Sequence, residues 1–132
     1  NEGKVSLWSS RNMGLLGTII LAFIVLHMSQ FWYTYKFGEI PMTTIDGQAV
    51  KDMTSVVIST FTDATWGIWM TLIYVIAQVA IGFHLWHGFE SFFQSMGISS
   101  KKVRIWQVIG RIFSVVITIL FAIIPIYIYL NA

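Results

Sequence analysis

The chain has 132 residues, 56% of them hydrophobic and 11% charged, with a mean hydropathy of +0.73 and a net charge of +2. An average soluble domain is roughly 45–50% apolar and 25% charged, so this composition excludes a soluble globular fold and indicates one integral membrane domain defined by its spans. Cysteine is absent, which excludes disulfides, iron-sulfur ligation and covalent C-x-x-C-H haem attachment, and the small positive charge gives no reason to expect a nucleic-acid partner.

The chain opens on Asn1, and Asn1 to Ser10 lacks the charged, apolar and small-residue regions of a signal peptide. The expectation is a fragment of a longer protein. Asn12 to Tyr35 then runs for about 24 residues without Asp, Glu, Lys or Arg, Ala64 to Phe89 for about 26, and Ile112 to Ala132 for about 21. Each meets the roughly 20 residues a helix needs to cross a bilayer, so the predicted fold is all-α, with spans at about 10–36, 65–94 and 103–131. Ser9 or Ser10 can cap the first span and Ser99 or Ser100 the third. Pro125 is expected to kink the third span without ending it. Trp8, Trp32, Tyr33, Tyr35, Trp66, Trp69, Trp106, Tyr127 and Tyr129 gather near the span ends as interfacial belts.

Lys36 to Asp63 connects the first two spans, with Pro41, an Asp46-Gly47 turn signal, and Val50, Met53, Val57 and Phe61 at helical spacing. That spacing predicts a short interfacial helix. The second connection, Gln94 to Lys102, ends in a basic cluster. Lys4 and Arg11 precede the first span and Lys101, Lys102, Arg104 and Arg111 surround the second connection, whereas Lys36 and Lys51 are offset by Glu39, Asp46 and Asp52. The positive-inside rule therefore predicts a cytoplasmic N-terminus and second loop.

Two histidines, His27 and His84, lie within charge-free spans. An imidazole in hydrocarbon must be satisfied by something, either a buried hydrogen bond or a metal. Helical rise places the two about 5 and 10 Å from the middle of their spans, on opposite sides when consecutive helices run antiparallel, and so roughly 14 Å apart in depth. One metal cannot take both, which makes them halves of two sites. Ala77, Ala80, Gly88 and Ser91 share the face of His84, either as clearance for a flat macrocycle or as a small-residue packing seam. His87 lies within helical reach of Glu90 and Ser91, and is read as an interfacial histidine bonded to Glu90 or to a propionate.

The string Ile81-Gly82-Phe83-His84-Leu85-Trp86-His87-Gly88-Phe89-Glu90-Ser91-Phe92, closing with Met96-Gly97-Ile98, resembles the fourth helix of the five-helix dihaem cytochrome b membrane anchor of bacterial succinate:quinone oxidoreductases, the succinate dehydrogenases and fumarate reductases. Ser10-Arg11-Asn12-Met13-Gly14, Phe23 and Leu26-His27 are similar to that family's third helix, and the span from Val103 would be its last. The resemblance implies that His84 and His27 are axial ligands of two different b haems, proximal and distal to the cytoplasm, whose second ligands lie on two helices absent from this sequence. It implies electron transfer between a flavoprotein and iron-sulfur subunit pair and a membrane quinone, menaquinone in particular, in a bacterial inner membrane and in the service of the tricarboxylic acid cycle. Arg11, Arg111, Lys101, Lys102, Arg104 and His87 would then be possible propionate contacts. Gly82 stands where some family members carry an acidic residue, which puts proton movement through that helix in doubt. A membrane di-iron enzyme built on His84-Leu85-Trp86-His87 would need more histidines than the three present. The other alternative is a metal-free packing or transport module, with hydrogen-bonded or proton-relay histidines.

Overall fold

The computed structural model describes residues 7–8, 11–97 and 100–132. It is mostly helical, with three helices long and apolar enough to cross a membrane. The first, α1 (Met13–Phe37), changes to a π-helix over Met28–Tyr33 before its last α-turn. It stops at Gly38, whose extended backbone bends the chain away, and where a Cβ would lie 2.7 Å from the Thr34 carbonyl oxygen. Upstream, the Asn12 amide bonds the Trp8 carbonyl at 3.0 Å, so helical bonding extends back beyond Met13. The capping serines Ser9 and Ser10 lie outside the described residues.

The connection holds a feature that the all-α expectation missed. Strands β1 (Met42–Ile45) and β2 (Gln48–Lys51) pair antiparallel, with Ile45 opposite Gln48, around Asp46-Gly47. Both turn residues have positive φ, +50° and +79°, the twist of a two-residue primed hairpin turn that Asp-Gly favours. Val50, assigned from spacing to the interfacial helix, is instead in β2, because the turn closes the chain into a hairpin first. Lys51 anchors the hairpin to α1: its ammonium bonds the Tyr35 carbonyl and lies 4.7 Å from the Tyr35 ring centroid.

Helix α2 (Met53–Thr62) is the expected short helix. Asp52 caps it, accepting from the Ser55 amide at 3.1 Å and the Ser55 hydroxyl at 2.5 Å, which holds the carboxyl below its ordinary range. Asp63 does the same at the following corner, accepting from the Thr65 and Trp66 amides at 2.9 and 2.8 Å, and its carboxyl is also lowered. Gly67 is needed at that corner, since a Cβ there would meet the Phe61 carbonyl oxygen at 2.6 Å. Phe61 is buried and sets its ring edge-on to Tyr74, 4.9 Å between centroids, docking α2 under the bundle. Full burial of such a side chain contributes about 1.5–3 kcal/mol.

Helices α3 (Gly67–Ser95) and α4 (Ser100–Asn131) form the main packing pair, with α1 against the other side of α3. The order of contacts along each pair makes both antiparallel: Trp8 meets Phe83 while Gln30 meets Met70, and Trp106 meets Phe93 while Thr118 meets Gly82. Close approach of α3 and α4 depends on small residues, the membrane substitute for a hydrophobic driving force. A Cβ on Gly82 would overlap the Thr118 hydroxyl, a Cβ on Gly110 would lie 2.7 Å from Cβ of Phe89, and Ser114 is 1% exposed. Just past the C-cap Met96 of α3, Gly97 takes the left-handed region at φ +62°, as a glycine following a helix should. Helix α4 starts at Ser100, three residues before the expected boundary, and the candidate cap Ser99 lies outside the described residues. The helix runs through Pro125 without a break.

Candidate functional site

The two span histidines lie on neighbouring antiparallel helices and both are exposed, although His27 stands beside Tyr74 where α1 meets α3. His27 is the last α-helical residue before the π segment. Its Nδ1 lies 3.5 Å from the Tyr74 hydroxyl, and that hydroxyl donates to Oε1 of Gln30 at 2.6 Å. The Gln30 amide nitrogen lies 3.2 Å from Sδ of Met70. Phe23 and Phe31, one helical turn either side of His27, stand 5.7 and 5.1 Å from its ring. The imidazole is thus held by rings above and below and by a hydroxyl at one nitrogen, while Nε2 makes no hydrogen bond among the described residues.

His84 lies ten residues beyond Tyr74 on α3, about 15 Å further along the axis. Because Tyr74 is level with His27, the two imidazoles are separated in depth by about one half of the hydrocarbon core. His84 makes no hydrogen bond among the described residues. The stripe of small residues on its face divides in two. Ala77 and Ala80 are buried, 2% and 5% exposed, and serve helix packing, whereas Gly88 and Ser91 are exposed and a Cβ on Gly88 would meet nothing within 4 Å. Among these four positions, clearance exists only on the side of His84 toward the end of α3.

That end carries a second polar group. Glu90, buried, accepts on one oxygen from Nε and Nη2 of Arg111 at 3.0 and 2.5 Å. The guanidinium also lies 5.3 Å from the centroid of the Trp86 ring. Arg111, considered as a propionate contact, is therefore already engaged by a carboxylate and an aromatic face within the chain. The same pairing takes Glu90 from His87: the expected bond between them does not form, and Nδ1 of His87 is buried without a hydrogen-bond partner among the described residues. Such an atom costs about 1–3 kcal/mol while unsatisfied. Arg11, Lys101, Lys102 and Arg104 are exposed, Arg11 beside Trp8 and Asn12 at the same end of the bundle as His84.

Sequence spacing located both histidines and the depth between them. It missed Tyr74, Gln30 and Met70, since a tyrosine in a span near an aromatic belt carries no mark of a particular partner; a glutamine three residues after an intramembrane histidine was the available signal. Among the described residues no three of His, Cys, Asp and Glu come together as a metal-binding group. Each histidine offers a single ligand. That donor set fits a planar macrocycle bringing four nitrogens of its own, and the unpartnered Nδ1 of His87 fits a carboxylate on such a group. No family model, curated protein or solved structure matches the chain.

Proposed function

We infer that the chain is the ligand-bearing part of a membrane cytochrome b, carrying electrons across the bilayer between a flavoprotein and iron-sulfur subunit pair and a quinone, as in the succinate:quinone oxidoreductases it resembles. One observation carries the reading. Two exposed imidazoles stand about 15 Å apart in depth on antiparallel helices, each with a ring nitrogen unengaged among the described residues. An intramembrane histidine left exposed in this way has a partner to receive.

Bound haem b supplies a one-electron carrier at each depth; the chain supplies its surroundings. His27 and His84 would each hold one haem through a ring nitrogen, and the resemblance implies that further helices complete both sites. The rings of Phe23 and Phe31 flank His27 one turn to either side and would limit its movement. Gly88 and Ser91 leave space beside His84. His87 would donate to a propionate, while Arg111 acts on that neighbourhood only through Glu90 and Trp86. The exposed Arg11, Lys101, Lys102 and Arg104 fit a cytoplasmic face in a bacterial membrane, where they would meet anionic lipid or the peripheral subunits.

Visible spectroscopy on the full-length protein in its complex tests the reading. Soret and alpha bands of two b haems are expected. His84→Ala removes one and spares the other, and His87→Ala removes neither. A preparation without these bands refutes the reading in favour of a metal-free packing or relay module, to which the hydrogen-bonded His27 would then belong.

A further inference from the structure

The polar side chains around His27 form a hydrogen-bond chain whose direction is set at its far end. A thioether sulfur only accepts, so the Gln30 atom 3.2 Å from Met70 is the amide nitrogen. The other end of that amide, the carbonyl Oε1, then faces Tyr74. A phenol has one proton, and Tyr74 commits it to Oε1 at 2.6 Å. What remains toward Nδ1 of His27, at 3.5 Å, is a lone pair on the phenolic oxygen. For that contact to be attractive the proton must be on Nδ1, and a neutral imidazole protonated there presents a bare lone pair at Nε2. The reverse assignment would set a carbonyl oxygen against sulfur.

We propose that Tyr74, oriented by Gln30 and Met70, is a positioning residue that holds His27 as the Nδ1–H tautomer and so keeps Nε2 ready to ligate. Metal-binding histidines generally fix their tautomer by donating the second ring N–H to a partner, and loss of that partner typically weakens metal binding 10–100-fold. The local backbone serves the same arrangement. The π turn begins directly after His27, at Met28, and the Thr34 hydroxyl supports it by donating to the Ser29 carbonyl at 3.2 Å. π turns are rare and concentrate at functional sites. The identity of the ligated group as haem rests on the function proposed above; the tautomer does not.

The test uses the full chain in phospholipid vesicles, with nitrogen-15 histidine, at about pH 8.5, where an ordinary imidazole is neutral. Nitrogen-15 NMR of His27, assigned by its loss in His27→Gln, should show the Nδ1–H tautomer. Tyr74→Phe keeps the ring that packs on Phe23, Phe31 and Phe61, and should leave the two tautomers mixed. Gln30→Leu is the discriminating variant. With leucine there, position 30 offers no acceptor, the Tyr74 hydroxyl turns its proton to His27 and the tautomer inverts to Nε2–H, which a merely structural tyrosine would not cause. In parallel, haem content of the complex is read optically in a His84→Ala background, where Tyr74→Phe should weaken retention about 10-fold. A wild-type Nε2–H tautomer, or a Gln30→Leu spectrum unchanged from wild type, overturns the proposal. The expected tautomers in chains that take up no haem uphold the positioning role and refute the electron-transfer function alone.

Discussion

Removing one partner of the Glu90–Arg111 pair should cost more than removing both. The carboxylate is 11% exposed and the guanidinium 29%, and both nitrogens converge on one carboxylate oxygen. Breaking a fully buried pair by deleting one charge costs about 3–5 kcal/mol, because the other charge is left uncompensated. The partial exposure of Arg111 lets it reach the interface once released, so the cost of Glu90→Leu is reduced to about 2–3 kcal/mol. Arg111→Met abandons the more deeply buried Glu90 and should cost at least as much. The double variant Glu90→Leu/Arg111→Met restores an apolar contact between α3 and α4 and should fall within about 1 kcal/mol of wild type. The assay is a double-mutant cycle on the detergent-solubilised full-length protein, with unfolding followed by helical circular dichroism across a denaturing-detergent titration. Single variants within about 0.5 kcal/mol of wild type would refute the idea of a desolvated pair. A double variant as unstable as the sum of the singles would show that the two charges do not act on each other.

Three further outcomes are expected from the fold. Gly82→Ala places a Cβ against Oγ1 of Thr118, whose hydroxyl is held on the Ser114 carbonyl at 2.7 Å, and should destabilise the α3–α4 contact by about 1–3 kcal/mol. Adding Thr118→Ala should recover most of that loss in the same detergent titration. Gly47→Val forces a β-branched residue to φ +79° and should open the hairpin at a cost of about 1–2 kcal/mol, read as faster amide exchange over residues 42–51 with the three long helices unchanged. Asp52 and Asp63 both have carboxyls lowered by bonds they accept in the folded state. Their stabilisation is therefore complete above the unfolded carboxyl value of about 4 and is lost as pH falls through the lower folded values. Exchange at the Ser55, Thr65 and Trp66 amides should rise in that acid window beyond the intrinsic rate. Asp52→Asn, which keeps a cap acceptor but cannot titrate, should remove the effect at Ser55 and leave it at Trp66.

The sequence by itself determined the membrane class, the three long helices and the antiparallel depth of the two histidines, because these follow from composition, charge-free length and helical rise. The Asp46-Gly47 turn was legible too, yet not the hairpin, since helical spacing from Val50 onward competed with it until pairing with β1 decided the matter. Of the polar groups, sequence neighbours suggested that Glu90 would bond His87 three residues away, while tertiary structure paired it with Arg111, 21 positions on, across the α3–α4 contact. The stripe around His84 looked uniform in the sequence, and only packing separated buried Ala77 and Ala80 from open Gly88. The hydrogen-bond chain from His27 to Met70 was likewise invisible. Periodicity reports which face of a helix a residue occupies, but what meets that face depends on the register of the neighbouring helix, and this is set by close approaches such as Gly82 on Thr118 and by the corner at Gly67.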